Sequence, residues 1–167
     1  VVVASGGLSI PTLGGSGIGY EIAKQFGHHV YPTRAGLVPF TFSDHFKEVT
    51  TRLSGNAVEA TLSNPFNSFT EALLFTHRGL SGPSSLQLSN YWHSGQAFQI
   101  DFLPSLDLHA FFKTKKTAQP KVLLRTLLNE HLPKSVVLEL QNLIWLEHAD
   151  TAIGNLSDDK LEAIATQ

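Results

Sequence analysis

The chain has 167 residues, no Cys and no Met, a formal net charge of -2 and 16% charged residues, against roughly 25% in an ordinary soluble domain. That length suffices for one domain of ordinary size or two small ones with a real core, and the low charge implies that part of the surface is normally covered. The absence of Cys excludes disulfides and thiolate metal sites, and the slight negative charge offers no footprint for nucleic acid. No apolar run reaches the length of a membrane span, and the opening VVVASGG lacks the basic start and long apolar stretch of a secretion signal. A cytoplasmic location with neither nucleic acid nor membrane as partner is therefore expected.

Residues 1–4 are apolar throughout and do not alternate, the pattern of a strand buried on both faces of a parallel sheet. A glycine-rich loop follows, and residues 17–26 then place Ile18, Ile22, Ala23 and Phe26 at helical spacing, with Ser16 as N-cap and Gly27 as C-cap. Beyond an extended connection marked by Pro32 and Pro39, residues 46–53 and 56–62 read as two strands joined at Ser54-Gly55 in a hairpin-like junction, the second alternating through Val58, Ala60 and Leu62. Residues 72–76 and 97–103 read as further strands. Between them Ser81 stands as N-cap and Pro83 in the first turn of a short helix carrying Leu86 and residues 88–92.

After Pro104 the periodicity is leucine-rich and helical in residues 106–112, 122–131 and 135–146. A last helix begins near residues 155–160, with Asp158 and Asp159 in the first turn where the macrodipole favours them. The fold class is thus α+β: a strand, loop and helix at 1–34, a β-rich region at 35–104 and a small helical subdomain at 105–167. The one basic cluster, Lys113, Lys115 and Lys116, reads as a solvated loop face.

The chemistry is sparse. The loop at residues 14–20 has the backbone and helix start that can bind phosphate, but it matches neither G-x-G-x-x-G nor the P-loop, so a tight turn feeding a helix is the plainer reading. His28 and His29 are adjacent, and the other six histidines stand apart without H-x-x-x-H spacing, so no metal site is expected. No G-x-S-x-G elbow occurs. Residues 75–92, FTHRGLSGPSSLQLSNYW, are denser in unusual types. Arg78 can offer a fork of donors to an anion, with His77 beside it and Ser81 at the helix start. The alternative is that His77 and Arg78 pair with a neighbouring carboxylate or carbonyl and brace the turn.

Two long motifs add to this reading. SGGLSIPTLGGSGIGYEIAKQFGH at 5–28 and LFTHRGLSGPSSLQLSNYW at 74–92, linked by YPTRAGLVPFTF at 31–42, resemble bacterial NAD(P)/FAD-dependent oxidoreductases of the YhiN/BaiN type. The resemblance implies a β-barrel-like domain with a small helical subdomain, preceded by a strand-loop-helix remnant of an FAD-binding Rossmann-like domain. It places Ser5, Gly6 and Gly7 close to the cofactor and makes His77, Arg78 and Ser81 candidates for a substrate pocket. The dinucleotide fingerprint with its acidic partner does not occur in these 167 residues. The resemblance therefore implies an insert region that covers the flavin of a longer flavoprotein, with the rest of that protein and a small-molecule substrate as partners and NAD(P)H as candidate reductant. Alone, the chain is expected to bind no FAD and to lack activity, or to act as a non-catalytic binding module.

Overall fold

The computed structural model describes residues 2–167. The chain divides into two compact units, residues 1–36 and residues 37–167.

In the first unit residues 2–4 carry no strand and are exposed. Residue 1 lies outside the described residues. A strand buried on both faces needs a paired neighbour at each edge, and the described residues of this unit contain no strand to supply one. A 3-10 turn, Pro11–Leu13, leads to helix α1, Ile18–Gln25. Gly17, rather than Ser16, is the N-cap, and no side chain caps this end. The C-terminus closes as expected through Gly27: its N–H donates to Lys24 O at 2.9 Å and that of His28 to Ala23 O at 3.0 Å, the paired bonds of a Schellman motif.

The second unit is α+β. Strands β1 (Phe40–Thr41), β2 (Ala57–Ser63), β3 (Ser68–Thr76), β4 (Gly79–Ser81) and β5 (Gln99–Asp101) make one antiparallel sheet in the order β1-β4-β3-β2-β5. The sheet curls. Phe40 on one edge strand stacks on Phe98, just before the opposite edge strand, with ring centroids 4.5 Å apart. The alternation read in β2 is present: Val58, Ala60 and Leu62 are buried, in the same core as Leu73, Phe75 and Leu80. The β2–β3 hairpin turns at residues 64–67, where Asn64 Oδ1 accepts from the N–H groups of Phe66 and Asn67.

Residues 46–53 are not a strand but helix α2, His45–Arg52. Asp44 Oδ1 accepts the N–H of Phe46 at 3.0 Å, and Phe46, Val49, Thr50 and Leu53 fall at i, i+3, i+4 and i+7. The β-branched run Val49-Thr50-Thr51 favours a strand by propensity, but two of its members, Val49 and Thr50, form the buried stripe of the helix. Ser54-Gly55 consequently joins a helix to a strand instead of turning a hairpin.

Helix α3, Pro83–Ser89, follows β4 with Pro83 in its first turn. Helices α4 (Leu108–Ala118), α5 (Leu124–Leu128), α6 (Lys134–Ile144) and α7 (Asp158–Thr166) complete the chain. Ser157 caps α7 by accepting from Lys160 N. The lysine cluster 113–116 lies on α4 and not on a loop. Asp107 caps that helix by accepting from Ala110 N at 2.9 Å, and Phe112 supplies the buried anchor. Sheet and helices share one core, in which Phe112, Leu127, Val136, Val137 and Ile153 are buried together with Leu62, Leu73 and Leu88.

Candidate functional site

Ser5, Gly6 and Gly7 lie in the first unit, in a loop folded back on itself. Ile10 O accepts from the N–H groups of Leu13 and Gly15, and a Cβ on Gly15 would meet Gly7 O at 2.6 Å, so glycine is required there by close backbone approach. Gly6 has a left-handed φ of 73° with open space beside it. Ser5 Oγ would lie 3.6 Å from a Cβ on Gly19 of α1. The three residues form a glycine-lined edge to which another backbone or a flat ring can come close.

His77 and Arg78 form the two-residue turn between β3 and β4, whose flanking residues Thr76 and Gly79 pair. The turn is pinned on three sides. Thr76 Oγ1 donates to Gly79 O at 3.0 Å, Phe42 N donates to Arg78 O at 3.0 Å, and Thr51 Oγ1 of α2 reaches His77 O at 3.2 Å while bonding Lys47 O at 2.7 Å. Gly79 has φ 149°, and a Cβ there would stand 2.1 Å from Phe40 O, so no larger residue fits between β4 and β1. Both side chains of the turn are exposed. The Thr76 hydroxyl and the Phe42 N–H hold the turn, and among the described residues no carboxylate pairs with Arg78.

Ser81 is the last residue of β4, paired with Leu74, and Gly82 takes the N-cap position of α3 in its place. Two strand residues separate it from Arg78, about 10 Å along the strand. The structure thus brings His77 and Arg78 together and holds Ser81 apart from them.

Cavities of the second unit include two that border the sheet. One, of about 660 Å³, opens between β5 and the helices and is lined by Asp101, Leu128, Leu132, Ile144, Trp145 and Ile164, among others. Trp145 Nε1 and Gln141 Oε1 are buried and have no hydrogen-bond partner among the described residues. The second, of about 270 Å³, is apolar and lies inside the curl of the sheet, lined by Phe42, Phe46, Phe75, Phe98, Phe102 and Leu143, among others. His77, Arg78 and Ser81 line neither.

Arg52 at the end of α2 and Glu139 on α6 form a bidentate pair, Nε to Oε1 at 2.6 Å and Nη2 to Oε2 at 2.9 Å. The hydrogen bonds from Arg52 hold the largely buried carboxyl of Glu139 below its ordinary value, against the opposing effect of burial. On the helical side Lys115 pairs with Glu130, Lys116 with Asp158, Arg125 with Asp150 and Lys160 with Glu147. These pairs neutralise much of a surface whose lysines the sequence alone left solvated. Among the described residues no three metal-binding side chains converge, and no helix is long and apolar enough to cross a membrane.

A family model described as the HI0933-like protein barrel and H2TH domain matches residues 34–167. The chain belongs to this family. This HI0933-like chain is also 49% identical to the ribosomal RNA dihydrouridine synthase of Escherichia coli over 144 residues, covering 86% of this chain and 36% of that protein. It is 43% identical over 161 residues to the protein of the same name from Haemophilus influenzae, covering 94% of this chain and 39% of the relative. The chain thus spans little more than a third of the length of these relatives.

Two expectations are corrected by these matches. The resemblance to an insert of the YhiN/BaiN oxidoreductase type gives way to the HI0933-like barrel and H2TH domain, matched over four-fifths of the chain. The expectation of no nucleic-acid partner is overturned by relatives named for ribosomal RNA. Net charge misled because it averages the whole chain, whereas phosphate contacts need only a few cations in one place. Sequence reasoning also missed α2, whose Thr51 hydroxyl lies 3.2 Å from His77 O of the turn. The available signal was the Asp44 N-cap preceding a helical apolar stripe.

Proposed function

We propose that this HI0933-like chain is the RNA-facing part of a flavin-dependent ribosomal RNA dihydrouridine synthase. The observation that carries the reading is the 49% identity over most of this chain to a relative of that name, a level at which fold and surface chemistry are retained together. Converting uridine to dihydrouridine adds a hydride and a proton across one C=C bond of the base. FAD supplies the hydride when bound and reduced, with NAD(P)H as the source of the electrons.

The residues present fit one edge of that cofactor. Gly6 is open and Gly7 is backed closely by Gly15, so Ser5, Gly6 and Gly7 would hold the flavin through backbone groups. The adenosine end has no G-x-G-x-x-G here, so the larger part of the FAD site would belong to the rest of a longer protein, with residues 1–34 at its border. The barrel and helices of residues 37–167 would present the RNA. His77 and Arg78 serve in this reading as RNA contacts, with Ser81 on the strand behind them.

The test is to delete the gene encoding this chain and digest the ribosomal RNA to nucleosides for mass spectrometry. Loss of a nucleoside two hydrogens heavier than uridine, restored by complementation, is the expected result. An unchanged dihydrouridine content overturns the reading.

A further inference from the structure

In the second unit two exposed cations and an exposed aromatic pair lie on adjoining segments, the first turn of α2 and the β3–β4 turn. Lys47 and Arg78 are exposed, and among the described residues no ion pair joins either to a carboxylate, in contrast to Lys115, Lys116, Arg125 and Lys160. The segments that carry them adjoin: Thr51 Oγ1 of α2, which donates to Lys47 O at 2.7 Å, lies 3.2 Å from His77 O. His45, close to Lys47 in the first turn of α2, stacks on Phe46 with centroids 4.6 Å apart and an interplanar angle of 19°, and Phe46 is 48% exposed. Phe42, whose N–H holds Arg78 O, lies 6.0 Å from Phe46. Of the two nearby acids, the carboxylate of Asp44 accepts the N–H of Phe46, and Glu48 acts on Arg52.

Single-stranded RNA is bound by this combination: cations that follow the phosphates, and aromatic rings on which an unstacked base continues the pile. A duplex presents no free base face to the ring pair. The positions are preorganised, because a buried helix stripe and a pinned two-residue turn fix both backbones before any ligand arrives.

We propose that the first turn of α2 and the β3–β4 turn form one contact surface for a single-stranded segment of RNA. Its phosphates lie along Lys47 and Arg78, and one base stacks on the His45–Phe46 pair. This surface rests on the RNA reading given above and names the residues that would realise it.

The experiment measures binding of the full chain to a short fluorescein-labelled, uridine-containing oligoribonucleotide by anisotropy, across a series of salt concentrations. The variants are Lys47→Ala/Arg78→Ala, His45→Ala/Phe46→Leu, and a control, Lys121→Ala/Lys134→Ala, on the helical side. Losing two phosphate contacts should lower the slope of log affinity against log salt by about 1.4. The ring variant should weaken binding by roughly tenfold or more with the salt slope kept, and the control should bind as wild type does. Unchanged affinity and slope in the first two variants, an equal loss in the control, or no binding by wild type overturns the surface. The digest of ribosomal RNA decides the functional reading independently, so failure of the surface and failure of that reading are told apart.

Discussion

Gly79 shows how one backbone atom sets the geometry of the candidate contact surface. Its φ of 149° and the 2.1 Å that would separate a Cβ at this position from Phe40 O mean that β1 and β4 pair only if the residue after Arg78 has no side chain. Gly79→Ala should therefore destabilise the second unit by about 2 kcal/mol or more, read as a lowered midpoint in urea unfolding. A variant as stable as wild type would show that the turn relaxes freely. In the sequence Gly79 is visible only as a turn residue, because the approach of Phe40 O depends on a strand pairing between residues some forty positions apart. His77 and Arg78 were legible as unusual residue types at a strand end, whereas their exposure and the separate placement of Ser81 followed only from the β4 register.

Among the elements, α2 is where local signals conflicted. Its β-branched run argued for a strand and its cap and apolar spacing for a helix, and burial of Val49, Thr50 and Leu53 against the sheet settled the conflict in favour of the helix. Helices α4 and α6 were legible from their apolar periodicity, and α7 from the acidic residues of its first turn. The clamp between α2 and α6 could not be read from sequence, since Arg52 and Glu139 are 87 positions apart. Glu139 is held below its ordinary value chiefly by its hydrogen bonds from Arg52. A lowered carboxyl contributes stability above the ordinary range and loses it as pH falls through the depressed value. Glu139→Gln should therefore unfold at a lower temperature than wild type at pH 7, and the difference should shrink as pH drops below about 4. A gap between the two melting temperatures that stays constant with pH would contradict this origin of the pair's contribution.

At the scale of the whole molecule, the division into residues 1–36 and 37–167 agrees closely with the family match beginning at residue 34. In the sequence a shift in composition, from a glycine-rich loop and helix to a β-rich region, falls near the same place. The α+β class followed from the periodicities, but the curl of the sheet did not, since Phe40 and Phe98 meet only in three dimensions. Net charge pointed away from nucleic acid, whereas the relatives are named for ribosomal RNA. A total of -2 averages over cations held in ion pairs, such as Lys115 and Lys160, and cations that no ion pair among the described residues holds, such as Lys47, Arg78, Lys121 and Lys134.

The proposal that this HI0933-like chain serves a flavin-dependent enzyme reducing uridines of ribosomal RNA is tested most directly by one reconstitution. It combines the complete purified enzyme carrying this chain with FAD, NAD(P)H and unmodified ribosomal RNA, and follows cofactor oxidation and dihydrouridine together. The predicted result is dihydrouridine formed in proportion to NAD(P)H consumed, with turnover on RNA lowered by Arg78→Ala. NAD(P)H oxidation that neither depends on RNA nor yields dihydrouridine would contradict it.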